Sequence, residues 1–390
     1  MDGPTTTQSA RAGKLELREL SKRYAPGDPL AVDSLSLTVP AGQVCVLVGP
    51  SGCGKTTALK MVNRLIEPTD GDILIDDRSV RDRPAAELRR DIGYVIQQVG
   101  LLPHLTIGAN ITTVPRLLGW DRPRMRARAT ELLGLIGLDP ERYVDRYPAE
   151  LSGGQQQRVG LARALAADPP LMLMDEPFSA VDPITRERLQ NDFLRLHRQV
   201  PKTVVFVSHD IDEAVKMADL IAVMDQGRLV QCATPAELLA NPANDFVADF
   251  VGADRALKGL SLSRVEELDP APAPIIVVDE PLEAVSARID AGELTPIGDA
   301  VLVVDRHGAP LRWRRLTDLG RVPSDQDTAV VEPLIDAMDT LRDALSALVE
   351  SSSTHGVVVQ DGVVQGVVSI EDIIGRLTPP VPTESAAGHG

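Results

Sequence analysis

The chain has 390 residues, 43% of them hydrophobic and 25% charged, with a formal net charge of -16, which is enough for one large cored domain and a smaller one. The acidity lies in the last third: residues 251–390 carry 11 Lys and Arg against 23 Asp and Glu, a net of -12, which argues against nucleic acid as a partner. No stretch approaches the roughly 20 apolar residues of a membrane span, and Met1 to Lys14 lacks an apolar core, so neither a transmembrane helix nor a signal peptide is expected.

Residues 1–13 read as a flexible N-terminus ahead of a domain expected over residues 14–251. Val44-Cys45-Val46-Leu47-Val48 is a continuous apolar run, the pattern of a parallel strand buried on both faces. It leads into Gly49-Pro50-Ser51-Gly52-Cys53-Gly54-Lys55-Thr56, which fits G-x-x-x-x-G-K-[ST], and Thr57 to Leu65 has helical spacing. Strand, loop and helix in that order place phosphates at a helix N-terminus, cradled by loop N–H groups. Lys55 then reaches the β/γ-phosphates, the Thr56 hydroxyl ligates Mg²⁺, and Thr57 completes the expected ATP-binding set. Cys53 is either a thiolate favoured by Lys55 and the helix end or a tolerated small residue. With Cys45 and Cys232 it has no metal spacing, which fits a reducing compartment.

Further along, Ser152-Gly153-Gly154-Gln155 precedes an apolar-periodic run and reads as an N-cap and turn opening a helix. Leu171 to Met174 is a second buried strand, ending in Asp175 and Glu176 at the strand edge where open α/β sheets bind ligands. Asp175 is expected to hold Mg²⁺ through water, and Glu176 to take a proton from the attacking water. A third strand, Thr203 to Ser208, ends at His209, whose place at the strand tip lets it reach the γ-phosphate.

Leu151-Ser152-Gly153-Gly154-Gln155-Gln156-Gln157-Arg158 resembles the signature of ATP-binding cassette (ABC) ATPases. The resemblance implies an α/β P-loop NTPase cassette with a helical subdomain at about residues 100–157. It also implies a head-to-tail homodimer with two ATPs at its interface, in which Ser152 and Gly154 of the Ser152–Gln155 string face the γ-phosphate held by the other cassette. Tyr24 is placed like the aromatic that stacks on adenine; a half-buried strand tyrosine is the alternative. Gln97 looks like the glutamine that senses Mg²⁺ and the transmembrane partner, with Gln98 a one-residue ambiguity. Ser179-Ala180-Val181-Asp182 resembles the loop coupling the two sites through Asp182, with Val181 where leucine is commoner. The expected catalytic set is therefore Glu176, His209, Lys55 and Gln97, and the metal set Thr56, Gln97 and Asp175.

The cassette pattern ends at Phe250-Val251-Gly252-Ala253-Asp254-Arg255, and residues 252–275 read as a linker, in which Asp269 to Pro274 is a stiff segment or strand lead-in. A smaller α+β domain is expected over residues 276–379, with residues 380–390 a disordered tail. In it, Thr340 to Val349 is an amphipathic helix, followed by strands His355 to Gln360 and Val363 to Ser369 about Asp361-Gly362, then a helix Ile370 to Leu377. That order resembles a CBS (cystathionine-β-synthase-type) motif. An earlier stretch repeats it, with Leu282 to Ile289 helical and strands Ala300 to Asp305 and Leu311 to Trp313 about Gly308. Gly366-Val367-Val368-Ser369-Ile370-Glu371-Asp372 fits the stretch that contacts an adenine nucleotide in such motifs, while the first copy departs from it at Arg312 and Arg315. Ser369 and Asp372 are equally an N-cap and first-turn acid.

A cassette followed by a CBS pair resembles the ATP-binding subunits of betaine, carnitine and choline importers, as do Tyr94 to His104 and Phe250 to Arg255. That resemblance implies ATP hydrolysis driving uptake of quaternary ammonium osmoprotectants. Its implied partners are two membrane permease subunits and an extracytoplasmic binding protein, which hold the chain at the cytoplasmic membrane face. The alternatives are the ATPase of an importer for another solute and a soluble non-transport ABC ATPase acting as an interaction protein.

Overall fold

Along β1 (Leu15–Lys22) and β2 (Val32–Val39) apolar residues alternate with polar ones, and Leu15, Leu17, Leu20, Val32, Leu35, Leu37 and Val39 are all turned inward. The computed structural model describes residues 12–96, 100–179, 181–278, 280–318 and 331–376. The chain folds as two units, Met1–Gly252 and Ala253–Gly390.

In the first unit β3 (Val44–Val48) runs through the phosphate-loop string into α1 (Lys55–Val62), and β4 (Asp70–Ile75) and β5 (Arg78–Ser79) follow. Helix α1 is shifted from its expected span of Thr57 to Leu65. It begins at Lys55 because the loop itself turns into the helix, and it ends early because Arg64 adopts φ +46° while Leu65 N–H bonds back to the Lys60 carbonyl. After α2 (Ala85–Arg90) and β6 (Ile92–Val95) comes a helical insertion: α3 (Ile107–Ile111), α4 (Thr113–Leu117), α5 (Arg122–Leu135), α6 (Pro140–Tyr143) and α7 (Gly153–Leu165). Thr106, Asp121, Asp139 and Ser152 each cap one of these helices with a side-chain oxygen, which is why so broken a segment remains helical. The chain then returns through β7 (Leu171–Asp175), α8 (Pro183–Gln199), β8 (Thr203–Val207), α9 (Ile211–Met217), β9 (Leu220–Asp225), β10 (Arg228–Ala233), α10 (Pro235–Ala240) and α11 (Asp245–Val251).

Two sheets result, an antiparallel one in the order β2-β1-β4-β5 and a mainly parallel one in the order β10-β9-β3-β8-β7-β6. The central strands are apolar apart from a polar residue at one end of β7, β8 and β9, because both faces are covered. Val44, Val46 and Val48 of β3 join the core formed with the helical insertion and α8, whereas Cys45 and Leu47 join the core against α1 and the antiparallel sheet. Phe206 on β8 is fully buried and meets Phe178 edge-to-face, with ring centroids 6.4 Å apart. Phe206→Ala should therefore lower unfolding free energy by about 3–5 kcal/mol. Denaturant titration of the full chain reads this directly; a loss under about 1 kcal/mol would contradict such packing. All three cysteines are free, and among the described residues no helix is long and apolar enough to cross a membrane.

The second unit opens with α12 (Arg255–Gly259), then β11 (Ile275–Val277), α13 (Leu282–Asp290), β12 (Ala300–Val304), β13 (Pro310–Arg315), β14 (Leu334–Asp336), α14 (Leu341–Glu350), β15 (His355–Gln360), β16 (Val363–Ser369) and α15 (Ile370–Gly375). It is a repeat: sheets β11-β12-β13 and β14-β15-β16 share one order and one pattern of parallel then antiparallel pairing. Leu302 and Val304 from the first copy share a core with Val357 from the second, while the opposite faces carry α13 and α14. Asp361 and Gly362 both have positive φ, +52° and +80°, as a two-residue hairpin with matching twist requires.

The expectation that residues 252–275 form a linker does not hold. Leu260 and Val265 are buried with Ile335, Leu341, Val358 and Ile373, and Ala271 exchanges both backbone hydrogen bonds with Val367. The acidic and proline-rich composition hid leucines and valine that the smaller unit needs to close its core. Leu377 and residues 380–390 lie outside the described residues.

Candidate functional site at the end of the parallel sheet

The loop after β3 can only be made by glycine at its turns. Gly54 has φ +103°, and a Cβ there would collide with the Ala31 carbonyl oxygen. Lys55, 7% exposed, folds back over the loop and donates to the Gly49 and Pro50 carbonyls at 2.7 and 2.9 Å. Its Nζ is 3.6 Å from the Cys53 sulfur, which is buried and closes the inside of the loop, so the cysteine is a packed small residue here. Next in the chain, Thr56 Oγ1 donates to Asp175 Oδ1 at 3.0 Å. Burial pushes the Asp175 carboxyl above its ordinary range, opposed by the Thr56 hydroxyl and the Lys60 charge.

Glu176 follows β7 in a left-handed conformation, φ +46°, with its N–H donated to the Val207 carbonyl and its own carbonyl accepting from Ser179 N and Oγ. This kink carries the side chain to within 3.7 Å of His209 Nδ1, measured from Glu176 Oε1. Ser51, Gly52, Lys55, Thr56, Glu176 and His209 thus line one cleft, although they come from three strand ends. Tyr24 lies beyond β1 and is 59% exposed, so it is not a half-buried strand residue; its hydroxyl is 3.2 Å from Thr57 Oγ1 at the cleft edge.

Ser152, Gly153, Gly154 and Gln155 do not line this cleft within one chain. They form the first turn of α7, where Ser152 and Gln155 make a reciprocal capping box. Asp182 caps α8, and the Thr185 N–H it accepts, at 3.0 Å, holds its carboxyl below the ordinary range. Gln97, Gln98 and Ala180 lie outside the described residues.

In the second unit Ser369 caps α15. Its N–H and Oγ both donate to Asp372 Oδ2, at 2.8 and 2.7 Å, and Asp372 N–H donates back to Ser369 Oγ at 3.1 Å. A Cβ on Gly366 would lie 2.6 Å from the Ala271 carbonyl oxygen, so the glycine is needed for the chain crossing at Ala271.

Residues 32–179 match the ABC transporter family. The osmoprotectant import ATP-binding protein OsmV of Salmonella typhimurium is 49% identical over 372 residues, which are 93% of this chain and 96% of that protein. The chain belongs to the ABC transporter family. The glycine betaine/carnitine/choline transport ATP-binding protein OpuCA of Bacillus subtilis is 50% identical, over 75% of this chain and 76% of its own. Among solved structures, a dimeric ATP-binding cassette, MJ0796, in a post-hydrolysis state bound to ADP and Pi is 36% identical. It covers 56% of this chain and 98% of that one, with a TM-score of 0.50.

One residue of the signature string has a role that the string itself does not show. Gln157, on α7 and 6% exposed, donates its amide to the Pro177 carbonyl and so ties the signature helix to the turn after Glu176. Its sequence signal was a polar side chain at a core position of an otherwise apolar helix face.

Proposed function

We propose that this chain is the ATP-hydrolysing subunit of an ABC importer and energises uptake of quaternary ammonium osmoprotectants such as glycine betaine, carnitine or choline. The observation that carries the chemistry is the convergence of Lys55, Thr56, Asp175, Glu176 and His209 at one end of the parallel sheet. The cargo class follows from the relatives' roles over most of the chain.

In this reading the Gly49 to Thr57 loop binds the triphosphate through backbone N–H groups and Lys55, and Tyr24 stacks on adenine. Thr56 and Asp175 present a hydroxyl and a carboxylate side by side, hard oxygen donors that fit Mg²⁺ and would hold it. Mg²⁺ held there supplies neutralisation of charge on the β/γ-phosphates. Glu176 accepts the proton of the attacking water, and His209, beside it, donates to the γ-phosphate oxygens. Ser152 and Gly154, at the start of α7, complete the site of a second copy in a head-to-tail dimer, a reading supported by the dimeric cassette with which this chain shares its fold. Asp182 couples the two sites and Gln97 links them to the permease. Residues 276–379 act as a tandem CBS-like regulatory pair, and the chain is held at the cytoplasmic membrane face by two permease subunits served by an extracytoplasmic binding protein.

Vesicles containing this chain with its permease subunits and binding protein should accumulate labelled glycine betaine, carnitine or choline only when ATP is inside. ATP-dependent accumulation of a different solute, with none of these three transported, would refute the cargo assignment. Failure of the chain to co-purify with any permease would refute the importer reading.

A further inference from the structure

Beside the cleft, Glu176, His209, Ser208, Asp210, Arg186 and Glu213 surround one small space. Three of these charged residues, Asp210, Arg186 and Glu213, have no part in the mechanism above. Glu213 on α9 is 8% exposed; its Oε2 accepts from Ser208 Oγ at 2.5 Å and its Oε1 from Gln190 Nε2 of α8 at 3.0 Å. Arg186, also on α8, donates to the Val181 carbonyl at 3.4 Å, and its buried Nε has no hydrogen-bond partner among the described residues.

Ser208 is the pivot. Its N–H donates to the Leu47 carbonyl of β3 at 3.0 Å, its Oγ accepts from Asp210 N–H at 3.0 Å, and the next residue is His209. Packing alone would put an apolar residue at position 213, because an ionised carboxylate in so dry a place carries a desolvation cost that only strong bonds offset.

We infer that Glu213 is a positioning residue for ATP hydrolysis: through Ser208 it holds the turn that presents His209 to Glu176, and through Gln190 it ties that turn to α8, whose first turn carries Asp182 and Arg186. The inference rests on the ATPase reading above. Movement of the Asp182 loop would then be felt at His209 without any change in the phosphate loop, so turnover and ATP affinity should separate.

The carboxyl shares this space with Asp210 at the head of its own helix, Arg186 of α8, and Glu176 and His209 at the strand ends, while the Glu187–Lys216 pair joins α8 and α9 outside it. Burial pushes it above its ordinary range, opposed by the Ser208 and Gln190 bonds and the Arg186 charge, with Asp210 adding to the rise. The holding form is the ionised one, so turnover should decline as pH falls through the raised value.

The test uses the full-length chain in steady-state ATPase assays from pH 5 to 8. Glu213→Gln keeps the size and removes the charge. It should leave the ATP KM within about twofold, lower kcat about tenfold, the worth of one charge-assisted bond, and flatten the acid limb of kcat. Ser208→Ala should lower kcat similarly, and the double variant should be no slower than either single one. Wild-type kcat and pH profile in Glu213→Gln, KM rising in step with the loss, or multiplicative losses in the double variant would each overturn the inference. No turnover by the wild-type chain, or full turnover in Glu176→Gln, would instead overturn the ATPase reading on which it rests.

Discussion

Glu176→Gln should abolish steady-state ATP hydrolysis, by about 10²–10⁴-fold, while ATP binding stays close to that of the unaltered chain. The kinked backbone at Glu176 is held by Val207 and Ser179 rather than by its side chain, so the amide should occupy the same place. What it loses is the capacity to take a proton. Asp175, the neighbouring carboxylate, is committed to the Thr56 hydroxyl and cannot substitute. Because ATP is bound and not consumed, the variant should also accumulate as an ATP-bound dimer, visible by size-exclusion chromatography with ATP and Mg²⁺. Turnover near the unaltered rate would remove Glu176 from its role.

Lys55→Ala should act on the other side of the ledger, weakening ATP binding about 10- to 150-fold, as expected for losing about 1.5–3 kcal/mol of charge-assisted bonding. The ammonium is 7% exposed and already held at the Gly49 and Pro50 carbonyls, so it meets the triphosphate preorganised. Calorimetric titration with ATP measures the change directly. Thermal unfolding of the same variant separates it from collapse of the loop, since the alanine leaves two carbonyls without their donor. Equal ATP affinity in the folded variant would mean that loop N–H groups alone carry the phosphates.

Strands buried on both faces are the most legible parts of this chain. Val44 to Val48, Leu171 to Met174 and Val204 to Val207 are apolar at every position, and the ends of these strands then mark Gly49, Asp175 with Glu176, and His209 as neighbours. Hairpin chemistry is equally local: Asp361-Gly362 set the limits of β15 and β16 to the residue. The ends of α1 were harder to see because they depend on backbone conformations at Gly54 and Arg64. Strands β11 and β14, three residues each, are too short to show a period; each exists only because β12 or β15 offers it an edge.

Residue types at local spacing thus dictated the phosphate loop, the two carboxylates, the α7 cap and the duplicated α+β unit. Long-range packing set the rest. Glu176 meets His209 because β7 and β8 pair in parallel through crossovers that no local pattern encodes. Tyr24 is exposed at the cleft edge because β1 ends at Lys22, and Leu260 and Val265 are core because they pack against Ile335, Leu341, Val358 and Ile373. Glu213 and Ser208 are bonded because α9 turns back on the strand tip it has just left, and a charge in that position acquires meaning only when its partners are seen.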